Sequence, residues 1–418
     1  MRRVKRGRRA TLGGCVLTAG AILLGCSHPP QEYGPTVGVI LDYTGTDASG
    51  FNEEQAFLLA VDQIQEARAG DPPFRLVFRD SRDNPDDARR AASELAEAGA
   101  DVVIGPSTDR LVPMVKEVLD ETDVVLVSPN PTIGGPEADE RPWFRMSPGN
   151  LTGSTTPALI GEHMAAEFTN RGNRRALIIS DSDVYDVDLI GGFKAALASR
   201  GGEVVEELSG DEAQSQRLVA ALNQSQVDAV VLALHLLPAA HLIADASVST
   251  PTKPKWLLTP RLKSDVLIAN TPLGALEDAF GISLRIPGRA SACDAAGPDA
   301  CFTDAFHRAW GAEPFENAYF MYDAAAVSLI ACDKVWRENF GAIDRSQLRE
   351  TIFATAERGG VRIGWNDFST AIESARSGGH VQYSGVTGAI VFTPSGVRVG
   401  GETVVFEVND NAFVDVTH

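Results

Sequence analysis

The chain has 418 residues, with 56 Asp and Glu against 37 Lys and Arg and a formal charge of −19. That length is enough for two domains with full cores. The acidic surplus argues against nucleic acid as a partner, because phosphate contacts need a basic face. Cys293, Cys301 and Cys332 lack the paired spacing and nearby histidine that a metal site requires.

The first residues, MRRVKRGRR, hold Arg2, Arg3, Lys5, Arg6, Arg8 and Arg9 and no acid; an apolar run, ATLGGCVLTAGAILLG, follows. That run is sixteen residues, short of the roughly 20 needed to span a bilayer as a helix. It reads as an export signal. Leu23-Leu24-Gly25-Cys26 resembles the lipobox of bacterial lipoproteins, which implies cleavage after Gly25 and acylation of Cys26. Two or more acyl chains anchor stably where one is marginal. Residues 1–25 are thus expected to be a lipoprotein signal peptide, and 26–35, with HPPQEYGP, a tether. Removing the signal leaves 31 Lys and Arg against 56 acids, a net charge of −25. No later stretch is apolar enough to cross a membrane.

Strands and helices then alternate. VGVILDY is a strand, and EEQAFLLAVDQIQEA is a helix with Phe57, Val61 and Ile64 on one face. FRLVFRD is a strand. NPDDARRAASELAEAG is a helix capped by Asn84, with Pro85 in its first turn and Gly99 as its stop. DVVIGP and VVLVSP are strands flanking the helix LVPMVKEVLDE. The pattern restarts after SPGNLTGS with the helix GEHMAAEFTNRG, the strand RALIISD, the helix LIGGFKAALASRGG and the strand EVVEEL. VDAVVLAL, PAAHLIADA, KWLLTP and FGISLR continue it. Apolar strands with helices between them mean parallel sheets buried on both faces. Roughly ten strands are too many for one half-length domain, so two doubly wound lobes are expected. The last third is helical (AFHRAWG, YFMYDAAAVSLIACDKVW, SQLRETIFATAER) before the closing strands VTGAIVF and ETVVFEV. A helical set belonging to neither run suggests that the chain returns to its first lobe. Cys293 and Cys301 bracket the Gly-Pro loop DAAGPDA, and an oxidising compartment favours a disulfide there. Cys332 reads as a buried helical thiol.

Open parallel sheets bind ligands beyond the carboxyl ends of their strands. Those ends carry GPSTD (105–109), SPNPT (128–132), SDSDVY (180–185), ALHLLP (233–238) and LTPRL (258–262). Clustered hydroxyls ahead of helix starts suit an anionic or polar small molecule, although each hydroxyl alone could be a helix cap. DSDVYDVD, 181–188, has the acids of a calcium loop but not its spacing. The sixth and twelfth positions, Gly and Glu in an EF-hand, are Asp186 and Gly192. Asp186 and Asp188 are most simply capping and first-turn residues, with Tyr185 at the corner. His235 and His241 are six apart, where a helical metal pair needs three or four. The chain lacks HExxH, GxSxG, CxxC and a glycine-rich phosphate loop, so no enzyme, cofactor or metal is expected.

Taken in order, VGVILDYTG, DVVIGPST, VVLVSPNPT, FRMSPGN, ALIISDSDVYDVDLIGGFKAAL, DAVVLAL, FHRAWGAEP, YDAAAVSLIA and GVTGAIVF resemble the type I periplasmic binding proteins of the leucine/isoleucine/valine-binding family. The resemblance spans about residues 35–415. It implies an α/β fold of two lobes joined by three crossovers, with residues 36–148 plus 286–386 in one lobe and 149–285 plus 387–418 in the other. It also implies a monomer on the periplasmic side of a bacterial membrane that delivers an amino acid, amide or related carboxylate to an ABC permease. The family's hydroxyl after its Gly-Pro turn falls on Thr108, displaced by one in a loop that looks shortened, beside Ser107. The Ser-Pro-x-x-Thr loop places Asn130 and Thr132, groups that with Thr108 hold an amino acid's carboxylate and ammonium. The second-lobe tyrosine is Tyr185, and His235 replaces an aromatic residue. Other departures bear on the ligand. The aromatic of the first loop is Gly50, with Phe51 beside it; the glycine after the tyrosine is Asp186; and the amine-binding glutamate aligns with Arg261. An arginine is permanently cationic and has no acceptor. Asp109 would then supply the counter-charge, or the ligand lacks an ammonium or bears a second anion. The competing expectation is a lipoprotein of the same fold that senses a solute or regulates the envelope through a protein partner.

Overall fold

Two sheets organise the chain, and the strands of each alternate faces with a period of two. The computed structural model describes residues 33–44, 49–129, 143–148, 157–181, 184–210, 215–224, 226–250, 253–286, 301–356 and 359–416. The signal segment with Cys26, and Asn130, Thr132 and Cys293, lie outside the described residues.

Sheet 1 has the order β2-β1-β3-β4-β5, built from β1 (Thr36–Leu41), β2 (Arg75–Asp80), β3 (Val102–Ile104), β4 (Val125–Ser128) and β5 (Phe144–Arg145), all parallel. Val37, Val39, Leu41, Val102 and Ile104 point into one core, and Ile40, Val103 and Leu126 into the other. The second core is closed by α2 (Pro85–Glu97) and α3 (Val112–Thr122). The first is closed by α1 (Gly50–Ala67) and by helices from much later in the chain.

Sheet 2 takes the order β15-β14-β10-β9-β8-β6-β7. Its parallel part is β6 (Arg175–Ser180), β7 (Glu203–Ser209), β8 (Ala229–Ala233), β9 (Trp256–Leu258) and β10 (Phe280–Leu284). Leu177 and Ile179 face one core, Ala176 and Ile178 the other. The connecting helices are α4 (Pro157–Asn170), α5 (Val184–Ser199), α6 (Ser215–Gln224), α7 (Leu236–Ser249) and the short α8 (Asp265–Ala269).

After β10 the chain returns to the first core with α9 (Phe302–Trp310), α10 (Glu316–Glu338), α11 (Arg345–Thr355) and α12 (Phe368–Arg376). A small sheet of β11 (Val361–Ile363), β12 (Val381–Gly385) and β13 (Gly388–Ala389) accompanies them. The antiparallel pair β14 (Thr403–Asn409) and β15 (Ala412–Val416) then completes sheet 2. The chain therefore passes between sheets three times, after β5, β10 and β13, and each sheet is covered on both faces. This is the doubly wound α/β architecture expected from the alternation.

One element differs from its expectation. VTGAIVF was expected to be a strand, yet regular pairing there is limited to Gly388–Ala389. The amides of Val386 and Thr387 instead donate to the carboxylate of Asp323 in α10, both at 2.9 Å. A buried carboxylate takes the donors that a strand partner would use. Cys301 is disulfide-bonded and Cys332 is a free buried thiol. No helix among the described residues is long and apolar enough to cross a membrane.

Candidate functional site

Each parallel strand ends at the same edge of its sheet, so the loops that follow β1, β3, β6, β8 and β9 gather there. On sheet 1, Gly50 begins α1 directly after the β1 loop. A Cβ on Gly50 would lie 2.5 Å from the carbonyl oxygen of Asp42, so no side chain can stand there and the expected aromatic cannot return. Phe51 takes over that surface: it is 63 % exposed and lies 4.8 Å from the ring of Tyr43. The Tyr43 hydroxyl donates to Glu54 at 2.9 Å. Burial, then the Glu54 carboxylate, pushes that hydroxyl well above the usual phenol range.

The GPSTD loop after β3 places Ser107 against the first turn of α1. Its hydroxyl donates to Glu53 Oε2 at 2.5 Å. Oε1 of the same carboxylate accepts from Ser49 Oγ at 2.7 Å and from Asn317 Nδ2 at 3.2 Å. Thr108 accepts from the Leu111 amide through its carbonyl at 3.1 Å, which starts the 3-10 turn Asp109–Leu111. The side chain of Asp109 lies outside the described residues.

On sheet 2, four charged or titratable groups meet at the ends of β6, β8 and β9. Arg261 Nη1 lies 3.5 Å from Asp186 Oδ2, and 3.2 and 3.3 Å from the two ring nitrogens of His235. His235 Nε2 lies 3.6 Å from Asp181 Oδ2. Asp186 is fully buried in the first turn of α5, where the helix start favours its negative charge. Thr259, at the end of β9, is also fully buried. Tyr185 stands in the same first turn of α5, and its side chain lies outside the described residues.

Of the sequence-expected residues, Ser107, Thr108 and Asp109 share the edge of sheet 1, while Tyr185, His235 and Arg261 share that of sheet 2. The two edges meet: the turn Asp109–Leu111 packs against α5. Sequence reasoning missed Glu53, whose place in an amphipathic helix gives no sign of its partners. Asp186 stands in the first turn of α5, as expected, and its departure from the family pattern together with that of Arg261 was the available signal that the two side chains meet. Among the described residues, no group of His, Cys, Asp or Glu could hold a metal ion.

Two doubly wound lobes with polar strand ends facing one another define a two-lobed binding protein. Residues 35–412 match the periplasmic binding protein family, and the chain belongs to that family, whose members act outside the cytoplasm as solute-binding proteins. Solved structures with the same fold include a leucine-binding protein from Thermotoga maritima, 20 % identical, covering 92 % of this chain and 98 % of that one with a TM-score of 0.69. A solute-binding protein from R. palustris, in complex with benzoate, is 17 % identical, with coverage of 92 % and 95 % and a TM-score of 0.69. A branched-chain amino acid transporter substrate-binding protein from Streptococcus pneumoniae, in complex with isoleucine, is 16 % identical, with coverage of 92 % and 100 % and a TM-score of 0.69. No curated protein matches the chain.

Proposed function

We propose that this protein is the lipid-anchored, extracytoplasmic solute-binding component of an ABC transporter, and that it holds an amino acid, amide or small carboxylate between its lobes. The observation that carries this reading is the packing of the Asp109–Leu111 turn against α5. It sets the polar strand ends of sheet 1 beside those of sheet 2, and ligands of parallel sheets bind beyond such ends. The lobes are residues 36–148 with 286–386 and 149–285 with 387–418, and they close on the ligand by hinge motion. Ser107, Thr108, Asp109, Asn130 and Thr132 serve from the first lobe, and Tyr185, His235 and Arg261 from the second. Cys26 carries the anchor after cleavage behind Gly25, Cys293 pairs with Cys301, and the working unit is a monomer that docks on a permease. Relatives named for leucine, isoleucine and benzoate support the solute class.

A thermal-shift screen of amino acids, their amides and small carboxylates tests the reading. A true ligand at a hundred times its dissociation constant stabilises the fold by about 2.7 kcal/mol. If no member of the set raises the melting temperature or binds in a calorimeter, the reading is wrong.

A further inference from the structure

Glu53 has no part in the site as proposed, yet its position controls a residue that does. It is 3 % exposed. Ser49 and Asn317 donate to its Oε1, and Ser107 donates to its Oε2 at 2.5 Å. Ser107 is the donor in that bond, so its proton is committed to the carboxylate. A serine has one proton and two lone pairs. With the proton committed to Glu53, Ser107 can offer a ligand only a lone pair.

We propose that Glu53 fixes Ser107 as a hydrogen-bond acceptor and so selects a solute that brings an N–H group, ammonium or primary amide, to the first-lobe wall of the crevice. The inference rests on the solute-binding reading above and reverses the role expected for this loop, in which a hydroxyl donates to a ligand carboxylate. On the facing lobe, Arg261 orients a zwitterion in the matching sense, with its carboxylate toward the guanidinium.

Calorimetry on matched probes tests this: each common amino acid, its amide, and the deaminated carboxylate of the same skeleton. The wild-type protein is expected to bind probes with an N–H group about tenfold or more tightly than the deaminated partner. In Glu53→Gln, Ser49 and Asn317 hold the amide oxygen and turn the amide NH2 toward Ser107. The serine must then accept, which directs its own O–H outward, and the preference is expected to vanish or reverse. Ser107→Ala should weaken N–H probes about tenfold relative to their deaminated partners, so that the preference is lost. That variant decides the matter if circular dichroism finds Glu53→Gln unfolded. Equal weakening of both probe classes in Ser107→Ala, or a wild-type protein indifferent to the N–H group, overturns the inference while leaving the solute-binding reading intact. If no probe binds the wild-type protein at all, both fall together.

Discussion

Arg261 and Asp186 are best understood as a pair. Each alone departs from the family pattern, one placing a cation where a carboxylate is expected, the other placing a carboxylate where a glycine is expected. Their side chains meet at 3.5 Å, with Asp186 fully buried. Removing one partner of a buried pair leaves a charge out of water without its neighbour, which costs far more than removing both. Arg261→Ala is therefore expected to destabilise the protein by about 3 kcal/mol. The double variant Asp186→Gly with Arg261→Ala should recover at least about 1 kcal/mol of that loss. Urea unfolding of the two single variants and the double variant measures the coupling; strict additivity would mean that the pair is incidental. Asp181 and His235 extend the same cluster, so a histidine dismissed as a metal ligand on its spacing still stands at the site for a different reason.

At the scale of elements, α4 and α5 pack closely beside sheet 2. Gly161 and Gly192 face the opposite helix so tightly that a Cβ on either would lie 2.0 Å from a backbone carbonyl, of Leu189 and Ala158 respectively. Gly191 has nothing within 4 Å of its would-be Cβ. Adjacent glycines of one helix should then respond oppositely to alanine. Gly192→Ala is expected to cost about 3 kcal/mol by forcing the helices apart. Gly191→Ala should gain up to about 1 kcal/mol through helix propensity, both read from denaturant midpoints. The turn between β12 and β13 depends on α10 in a similar way. Asp323 accepts from Tyr383 Oη, from the Val386 and Thr387 amides, and from Thr387 Oγ1, while Arg398 donates to Thr387 Oγ1 in turn. Burial raises the Asp323 carboxyl above its usual range, and Arg398 followed by Thr387 works against that rise. Asp323→Ala would strand several buried donors at once. A loss of about 3–5 kcal/mol is expected in thermal or urea unfolding, and a loss under about 1 kcal/mol would show that water satisfies them instead.

For the whole molecule, the passages between sheets matter most. Arg398, in the last passage, donates to the carbonyl of Met146 in the first at 3.1 Å, and Arg145 pairs with Val397 as a parallel bridge. The two passages are thus tied where they leave the first sheet, so the hinge motion proposed above would take place beyond them. X-ray scattering with and without a binding solute should record a smaller radius of gyration in its presence, as hinge closure requires. An unchanged curve alongside calorimetric binding would instead mean that the ligand enters a crevice already closed.

The sequence by itself determined the class of fold, because strand and helix periodicities are local and each apolar face must be covered by its neighbours. It also located the loops that gather at one edge of each sheet, since parallel strands all end on one edge. What it could not determine was which polar tips pair. Glu53 and Ser107 are 54 residues apart, and Asp323 and the Thr387 amide are 64 apart. Arg261 meets Asp186 because β6 and β9 both flank β8 in sheet 2. Those meetings depend on strand order and helix packing, and no short-range pattern records them. Tertiary structure therefore decided which polar groups of these loops pair, through side chains whose hydrogen-bonding partners are distant in the chain.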